Sequence, residues 1–239
     1  MQSFQFNAIG VIESPYKQKF AIPRQPGLIP EAVGQLVLDP PYADDAIVRG
    51  IESFSHLWIV FVFHETAEHG WSSLVRPPRL GGNQKKGVFA TRATFRPNPI
   101  GLSVVKLEGI KRRGQQLILL LSGIDLLDGT PVLDVKPYLP YSDALANASG
   151  GFADAAPTTG MTVSMSEQAL NFCKQQTQLP HLQTFIEKVL TQDPRPPYKK
   201  QREDTQSYGM TLYNFNIKWT VEKEHNHVTE IRPHSAVDH

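Results

Sequence analysis

The residues best suited to chemistry include two arginines, Arg92 and Arg96, four positions apart in the stretch GVFATRATFRPNPIGLS. Pro97 and Pro99 exclude a helix there, because proline fixes φ, lacks an amide donor and pushes the preceding residue into extended geometry. We therefore predict a stiff loop that holds both guanidinium groups in fixed positions. Such groups suit an anion that presents two oxygens side by side, such as a carboxylate or a phosphate.

The charge pattern around this loop is one-sided. No Asp or Glu occurs between Glu68 and Glu108. The cations of that interval are Arg76, Arg79, Lys85, Lys86, Arg92, Arg96 and Lys106. A cation-rich segment without acids favours an anionic ligand, although a solvated basic face would give the same pattern.

Two pairs of polar residues stand where strands or turns end. His64 and Glu65 follow a long apolar run, and Asp125 and Asp128 flank a predicted turn. Strand ends commonly carry functional side chains, but a histidine at such a place is often only a hydrogen-bonded polar group. The aspartates have an equally simple reading, because Asp caps turns by accepting bonds from backbone amides.

Proline-rich loops supply the remaining candidates. The loop SPYKQKFAIPRQPG ends in Gln25, Pro26 and Gly27, and Gly27 would allow the backbone to approach a ligand closely. A surface crossover is the alternative for this loop. Tyr138 lies in KPYLPY, where it could meet a substrate or simply hold the loop as an aromatic corner.

The elements that must position these residues are mostly strands. Alternation and apolar runs predict strands at 4–12, 34–38, 57–63, 103–110, 115–121 and 131–135, and a short helix at 43–51. The run 57–63 is apolar on both faces, so we expect a fully buried central strand. The glycine-rich fingerprint of a Rossmann fold is missing. The fold class is therefore mostly β, with a compact β-barrel (or a sandwich) spanning residues 1–142.

The rest of the chain predicts a linker and a second domain. Residues 143–162 are rich in Ala, Ser, Gly, Asp and Thr, which is typical of a linker. Residues 163–239 predict a small α+β domain, in which a helical hairpin, 166–176 and 182–190, packs on a strand pair within 208–221. The basic loop between them contains Arg195, Tyr198, Lys199 and Lys200. Cations and an aromatic ring suit an RNA contact, whereas a solvated loop is the simpler reading.

Composition limits the partners and the cellular compartment that we expect for the protein. The 24 Lys and Arg nearly balance the 23 Asp and Glu, so any affinity for nucleic acid must come from local patches. The single cysteine, Cys173, excludes an internal disulfide and a cysteine-based zinc site. No apolar run approaches the roughly 20 residues of a membrane span. We expect a soluble, cytoplasmic protein without a metal.

Several motifs closely resemble the TrmO family, also called the TsaA-like family. They are ATRATFRPNPIGLS, SPYKQKFAIPRQPG, DLLDGTPVLDVKPYLPY, DPRPPYKK and YNFNIKWTV, and the resemblance extends from about residue 4 to residue 221. Members of that family are bacterial tRNA methyltransferases. They use S-adenosylmethionine to methylate N6 of threonylcarbamoyladenosine at tRNA position 37.

The resemblance implies a cofactor site, a substrate and an assembly. The residues that match the family's cofactor pocket are Gln25, Pro26, Gly27, His64, Glu65, Arg92, Leu102, Asp125, Leu126, Leu127 and Asp128. The implied cofactor is S-adenosylmethionine, and the implied partner is tRNA that carries threonylcarbamoyladenosine. The family also implies a homodimer with the site near the subunit interface.

Roles within that site follow from the chemistry of methyl transfer. Arg92 suits the cofactor's carboxylate, and Arg96 suits the carboxylate of the threonylcarbamoyl group. Asn98 could hold the loop or read a base edge. The proton of the acceptor nitrogen could pass to His64 or Asp128, between which the sequence does not choose, and Tyr138 is a third candidate.

Two other functions compete with this interpretation. One is a non-catalytic module that senses S-adenosylmethionine or another nucleotide and passes the signal to a partner. The other is a hydrolase, which we discount because a GxSxG elbow, a P-loop and a histidine-rich metal spacing are all absent from the sequence.

Overall fold

A computed structural model describes residues 2–81, 83–156, 160–195 and 204–234. The strands of the first part are β1 (Gly10–Glu13), β2 (Val33–Leu38), β3 (His56–Val62), β4 (Leu74–Val75), β5 (Lys86–Gly87), β6 (Ile100–Arg113), β7 (Gln116–Ser122) and β8 (Pro131–Pro137). Two short helices belong to the same part, α1 (His64–Ala67) and α2 (Pro140–Asp143). The later part contains β9 (Thr162–Met165), α3 (Glu167–Gln175), α4 (Leu182–Thr191), β10 (Gln206–Leu212), β11 (Phe215–Glu222) and β12 (His225–Pro233).

Six strands of the first part close into a barrel in the order β1-β2-β7-β6-β3-β8. Every neighbouring pair is antiparallel, including the closing pair β1 and β8. The predicted mostly-β fold that is not a Rossmann fold is confirmed. The two strands predicted at 103–110 and 115–121 form the β6–β7 hairpin, in which Gly114 turns the chain at φ +62° between Arg113 and its partner Gln116.

The prediction that β3 is buried on both faces is wrong. Leu57, Ile59 and Phe61 face the barrel interior, whereas Trp58 and Val60 point outward and are only partly buried. A strand of a closed barrel has a single interior side, so its outer residues need another cover or face solvent. The outward face of β3 therefore becomes a surface on which a site can be built.

Two local predictions from the first part also need correction. The helix at 43–51 is replaced by successive turns, because Asp44 Oδ1 accepts a bond from the Ala46 amide at 2.9 Å and Gly50 adopts φ +87°. The KPYLPY segment is not only loop, since β8 continues to Pro137 and α2 begins at Pro140.

The later part forms a four-stranded sheet in the order β10-β11-β12-β9. The predicted helices are confirmed: Ser166 caps α3 by accepting from the Ala169 amide, and α4 buries its apolar stripe. Phe172 of α3 meets Phe215 of β11 edge-on at 5.3 Å between ring centroids. The sheet is larger than the predicted strand pair, because β9 joins it parallel to β12.

The β1–β2 loop (residues 14–32) lies between the barrel and the later part. The Tyr213 amide donates to Pro15 O at 2.8 Å, and Lys188 Nζ pairs with Glu31 at 2.6 Å. Tyr16 is fully buried, with its ring 5.8 Å from that of Phe185. One hydrophobic core therefore runs through both parts of the chain.

The barrel interior tolerates no side chain at Gly101. A Cβ built there would overlap the tip of the Phe61 ring. We expect Gly101→Ala to lower the free energy of unfolding by about 1–3 kcal/mol, because the ring must leave its packed position. Denaturant unfolding measures this change.

The matched control is the double variant with Phe61→Leu. Removing the ring tip should relieve the clash, so the two substitutions should cost less together than the sum of their separate effects. Strictly additive effects would show that the ring and Gly101 do not compete for the same space.

Candidate functional site

One rim of the barrel collects most of the residues that the sequence singled out. Because neighbouring strands are antiparallel, β1, β3 and β7 run in the same direction and end at the same rim. Their connections are the β1–β2 loop, the β3–β6 lobe (residues 63–99) and the β7–β8 turn (residues 123–130). The predicted residues on these three connections are Gln25, Pro26, Gly27, His64, Glu65, Arg92, Arg96, Asn98, Asp125, Leu126, Leu127 and Asp128.

Asp128 fastens the β1–β2 loop to the β7–β8 turn. Its Oδ1 accepts a bond from the Ser14 amide at 2.8 Å, and its Oδ2 pairs with Lys17 at 2.7 Å. The Asp128 amide donates to Tyr16 O at 2.9 Å. Both carboxylate oxygens are thus engaged in holding the loop, which makes Asp128 a poor proton acceptor for a substrate.

Two glycines bring the far end of the same loop against the turn. The Gly27 amide donates to Gly123 O at 2.9 Å, and a Cβ on Gly123 would lie 3.4 Å from Gly27 Cα. Both residues have left-handed backbones, with φ of +75° and +67°. This close approach fixes the positions of Gln25 and Pro26 beside the turn.

Arg92, in the β3–β6 lobe, also contacts the β1–β2 loop. Its Nη1 donates to Gln25 Oε1, and the rest of its side chain is exposed. The positive charge of Arg92 also lowers the pKa of Asp125 in the β7–β8 turn. Arg92 therefore joins all three connections and keeps a free edge of the guanidinium for an anion.

Asp125 is a partly buried carboxylate at the mouth of the barrel. It accepts a hydrogen bond from the hydroxyl of Ser103, a buried residue of β6. Burial raises the pKa of Asp125 to about 6, although the Ser103 hydroxyl and the Arg92 charge both lower it. A cationic group bound nearby would favour the ionised form.

A pocket of about 400 Å³ extends from this rim along the outer face of β6 and β3. Its lining residues are Pro26, His56, Trp58, Arg92, Leu102, Val104, Tyr138 and Asp143. The volume is in the range of small-molecule sites, and the walls combine apolar and aromatic surface with one cation and one carboxylate. Four of the residues, Pro26, Arg92, Leu102 and Tyr138, were predicted site residues.

The other four, His56, Trp58, Val104 and Asp143, were missed. Trp58 Nε1 donates to Asp143 Oδ2 at 2.9 Å, and the Tyr138 ring lies 5.8 Å from the Trp58 ring. The period-two spacing of His56 and Trp58 could have placed both on one face of β3. The apolar reading of 57–63 hid this signal.

His64 and Glu65 occupy the start of α1 on the same rim. Glu65 Oε1 lies 3.7 Å from His64 Nε2, and Glu65 Oε2 lies 3.3 Å from Lys19 of the β1–β2 loop. Neither residue lines the pocket described above. They flank it at the rim, where His64 keeps part of its ring exposed.

Arg96 is held by its own loop. Its Nη1 donates to Val88 O at 3.2 Å and to Thr91 O at 2.8 Å. These bonds fix the guanidinium and leave its other edge unbonded among the described residues. Asn98 is exposed, and its carbonyl accepts from the Ile100 amide at 2.7 Å, so its backbone helps to shape the loop.

The structure argues against the predicted RNA contact of Arg195. Its side chain is only 8% exposed and pairs with Asp193 at 2.7 Å. A buried guanidinium that already has a carboxylate partner offers little to a phosphate. Tyr198, Lys199 and Lys200 lie outside the described residues.

A shallower depression of about 700 Å³ lies on the later part, between β9 and the β11–β12 turn. It is lined by Gly160, Thr162, Glu222, Lys223, Glu224 and His225, and it contains none of the predicted residues. Within the described ranges, no group of three or more His, Cys, Asp or Glu side chains could hold a metal ion. No helix in those ranges is long and apolar enough to cross a membrane.

Comparison with known proteins gives a consistent result over both parts. Residues 11–144 match the family model of the tRNA-methyltransferase O N-terminal domain, and residues 158–234 match that of the TrmO C-terminal domain. A protein of Escherichia coli (strain K12) named tRNA (adenine(37)-N6)-methyltransferase is 53% identical over 222 residues, which cover 92% of this chain and 94% of that one.

Two further relatives come from Pseudomonas aeruginosa. One, named putative S-adenosylmethionine-dependent methyltransferase RcsF, is 51% identical over 213 residues, which cover 88% of this chain and 90% of that one. The other is a crystal structure of TrmO, which superposes with a TM-score of 0.79 at 41% identity and covers 98% of both chains.

The raised pKa of Asp125 makes stability depend on pH. The value of about 6 exceeds the roughly 3.9 of an unfolded aspartate, so between these values the folded protein binds more protons than the unfolded chain. The contribution of Asp125 to the free energy of unfolding should therefore fall as the pH rises from about 4 to about 6. Asp125→Asn should remove this part of the pH dependence, as measured by denaturant unfolding at several pH values.

Asp39→Asn is the matched control, because Asp39 is an exposed carboxylate after β2. If Asp125→Asn and Asp39→Asn both keep the pH dependence of the unsubstituted protein, the pKa of Asp125 is not raised by folding.

Proposed function

Since the chain belongs to the TrmO family of tRNA methyltransferases, we propose that it methylates N6 of threonylcarbamoyladenosine at position 37 of tRNA. The protein is an S-adenosylmethionine-dependent methyltransferase of tRNA adenosine 37. A non-catalytic sensor is therefore rejected as an alternative. That the substrate adenosine already carries a threonylcarbamoyl group is the proposed part of this function. The residues of the rim, described below, support it.

The rim suits the cofactor chemically. S-adenosylmethionine supplies an electrophilic methyl group on a sulfonium, whose positive charge is lost during the transfer. Arg92 would bind its carboxylate, because one edge of that guanidinium is fixed by Gln25 and the other faces outward. Asp125 would bind the ammonium or the ribose, and Pro26 and Leu102 would cover the adenine. Close contact with Gly27 and backbone groups of the β7–β8 turn completes this proposed site.

Catalysis at such a site depends chiefly on how the methyl donor and the acceptor nitrogen are positioned. Alignment of the methyl group with the acceptor nitrogen can contribute roughly 7–11 kcal/mol of the barrier reduction. Carboxylates should lie away from the sulfur, because a negative neighbour would stabilise the sulfonium more than the transition state. Asp125 is tied to Ser103 at the barrel mouth, a position consistent with this requirement.

His64 is the proposed proton acceptor among the three candidates. Both oxygens of Asp128 are engaged by Ser14 and Lys17, as described above. Tyr138 packs against Trp58 at the pocket end away from the rim. His64 lies at the rim with part of its ring exposed, and Glu65 is close enough to orient it. The carbamoyl group acidifies the N6 proton, so one weak base suffices.

Arg96 is the proposed partner of the threonyl carboxylate. The observation that carries this assignment is the fixed guanidinium, whose Nη1 is held by Val88 and Thr91 while its other edge stays available. A pre-oriented donor loses little freedom on binding, so it can discriminate between substrates with and without the carboxylate. Asn98, exposed on the same loop, would read a base edge or hold the loop.

The remaining features of the protein are proposed on the same basis. Residues 1–142 would carry the chemistry, 143–162 would be a linker, and 163–239 would help to bind tRNA. We propose a homodimer, supported by an exposed apolar residue of β6 outside the pocket, Ile100, which is 39% exposed. A cytoplasmic location is consistent with the substrate and with the single free cysteine, Cys173.

Arg92→Ala should weaken cofactor binding by about 10- to 100-fold, or about 1.5–3 kcal/mol for a charge-assisted pair. Calorimetric titration with S-adenosylmethionine measures this change. Arg112→Ala is the matched control, because Arg112 is also a bonded surface arginine, held by Asp45 and the Ala43 carbonyl, but lies in the β6–β7 hairpin. Equal affinity of the Arg92 variant and the control would disprove the carboxylate contact.

The substrate proposal predicts a difference between two tRNA preparations. tRNA from cells that cannot make threonylcarbamoyladenosine should be methylated at least about 10- to 100-fold more slowly, because Arg96 is then left without its partner. Arg96→Ala should narrow the gap by slowing the modified substrate alone. The measurement is transfer of labelled methyl groups into both tRNAs.

Equal rates on the two tRNAs would show that the modification is not read. A gap that survives Arg96→Ala would leave the substrate proposal intact and assign the discrimination to another residue.

A further inference from the structure

The β3–β6 lobe exposes three aromatic rings. Phe89 is 79% exposed, Trp71 is 60% exposed and Phe95 is 41% exposed. Large aromatic side chains usually bury most of their surface, so several exposed rings in one small lobe indicate a binding surface. The proposed cofactor contacts use none of these three rings.

Backbone bonds hold the three rings in one place. The Ser72 amide, next to Trp71, donates to Phe95 O at 3.3 Å. The Val88 amide, next to Phe89, donates to Ser73 O at 3.0 Å, and Leu74 pairs with Gly87 in the β4–β5 ladder. The rings therefore belong to one folded surface, which we call the aromatic surface.

Unpaired cations surround the aromatic surface. The cations of the lobe are Arg76, Arg79, Lys85, Lys86, Arg92 and Arg96, and within the described ranges none of them pairs with a carboxylate. Elsewhere on the barrel Arg112 pairs with Asp45 and Arg113 with Glu13, whereas the exposed Arg24 and Arg49 make no ion pair within the described ranges. What distinguishes the lobe is that these six cations lie in a stretch of chain that has no Asp or Glu between Glu68 and Glu108.

The aromatic surface also adjoins the pocket. Arg96 places its guanidinium 5.8 Å from the centroid of the Phe89 ring, which joins ring and cation in one contact. Arg92, four residues before Arg96, lines the pocket itself. A ligand that spans both would have one group in the pocket and its neighbours over the rings.

We propose that Trp71, Phe89 and Phe95 stack the unpaired bases that flank the target adenosine in an RNA loop, an inference that rests on the proposed function. Exposed rings bind unstacked bases through their faces, and nearby lysines and arginines bind the phosphates. A second copy of the chain is the less favourable occupant, because two such lobes facing each other would bring together six cations from each copy against only two acids, Glu65 and Glu68. Charge complementarity therefore favours RNA over a second copy of the chain as the ligand of the aromatic surface.

The test is the affinity of the full chain for an RNA hairpin that presents the target loop, measured over a range of salt concentrations. Phe89→Leu and Trp71→Leu keep apolar bulk but remove the ring face, so each should weaken binding about 5- to 100-fold. Phe89→Tyr should retain the affinity. Phe4→Leu is the matched control, because Phe4 is 72% exposed but lies outside the lobe. This variant should bind the hairpin as tightly as the unsubstituted protein does.

The salt dependence separates stacking from charge. The leucine variants should leave the slope of log affinity against log salt unchanged, whereas Lys86→Gln should reduce it by about 0.7–0.9 for one lost phosphate contact. Sedimentation in parallel must show the same oligomeric state for every variant that loses affinity.

Three results would overturn the stacking proposal. They are unchanged RNA affinity in both leucine variants, an equal loss in Phe89→Tyr and Phe89→Leu, or a loss that follows a change in oligomeric state, which would make the aromatic surface an interface between copies. Failure of the proposed function looks different, because tRNA with and without threonylcarbamoyladenosine would then be methylated at equal rates, whatever the affinities of the leucine variants for the hairpin.

Discussion

In a closed barrel of six antiparallel strands, every second strand ends at the same rim. That constraint brings together the β1–β2 loop, the β3–β6 lobe and the β7–β8 turn, which are far apart in the sequence. Strand ladders fix the positions of the loop ends, so side chains on the three connections can be held without being part of the core. The proposed cofactor site depends on this arrangement before it depends on any single residue.

The β1–β2 loop converts this arrangement into a defined site. Its first residues are tied to the turn through Asp128, and Gly27 is tied to Gly123, so both ends of the loop are fixed. The later part of the chain packs against the same loop through Pro15 and Glu31. Contacts made by RNA with the later part would therefore act on a segment that also shapes the cofactor site.

The sequence predicts well what depends on local patterns. Helices α3 and α4, the Gly114 hairpin and the Asp128–Gly129 turn follow from caps, periodicity and glycine positions. Pairings between distant segments carry no such local signal: β9 joins β12 in parallel, and the Tyr213 amide donates to Pro15 O across the two parts of the chain. The outward direction of Trp58 was not predicted, because a run of apolar residues does not indicate which face of the strand lies inside the barrel.

We expect the cofactor to lie at the rim where the three connections meet. A crystal structure of the protein with S-adenosylhomocysteine, which cannot react, tests it most directly. The ligand should lie beside Pro26 and Leu102, with its carboxylate on Arg92 and its amino group or ribose near Asp125. Binding in the depression lined by Thr162, Glu224 and His225, or contacts that leave Arg92 free, would contradict the account.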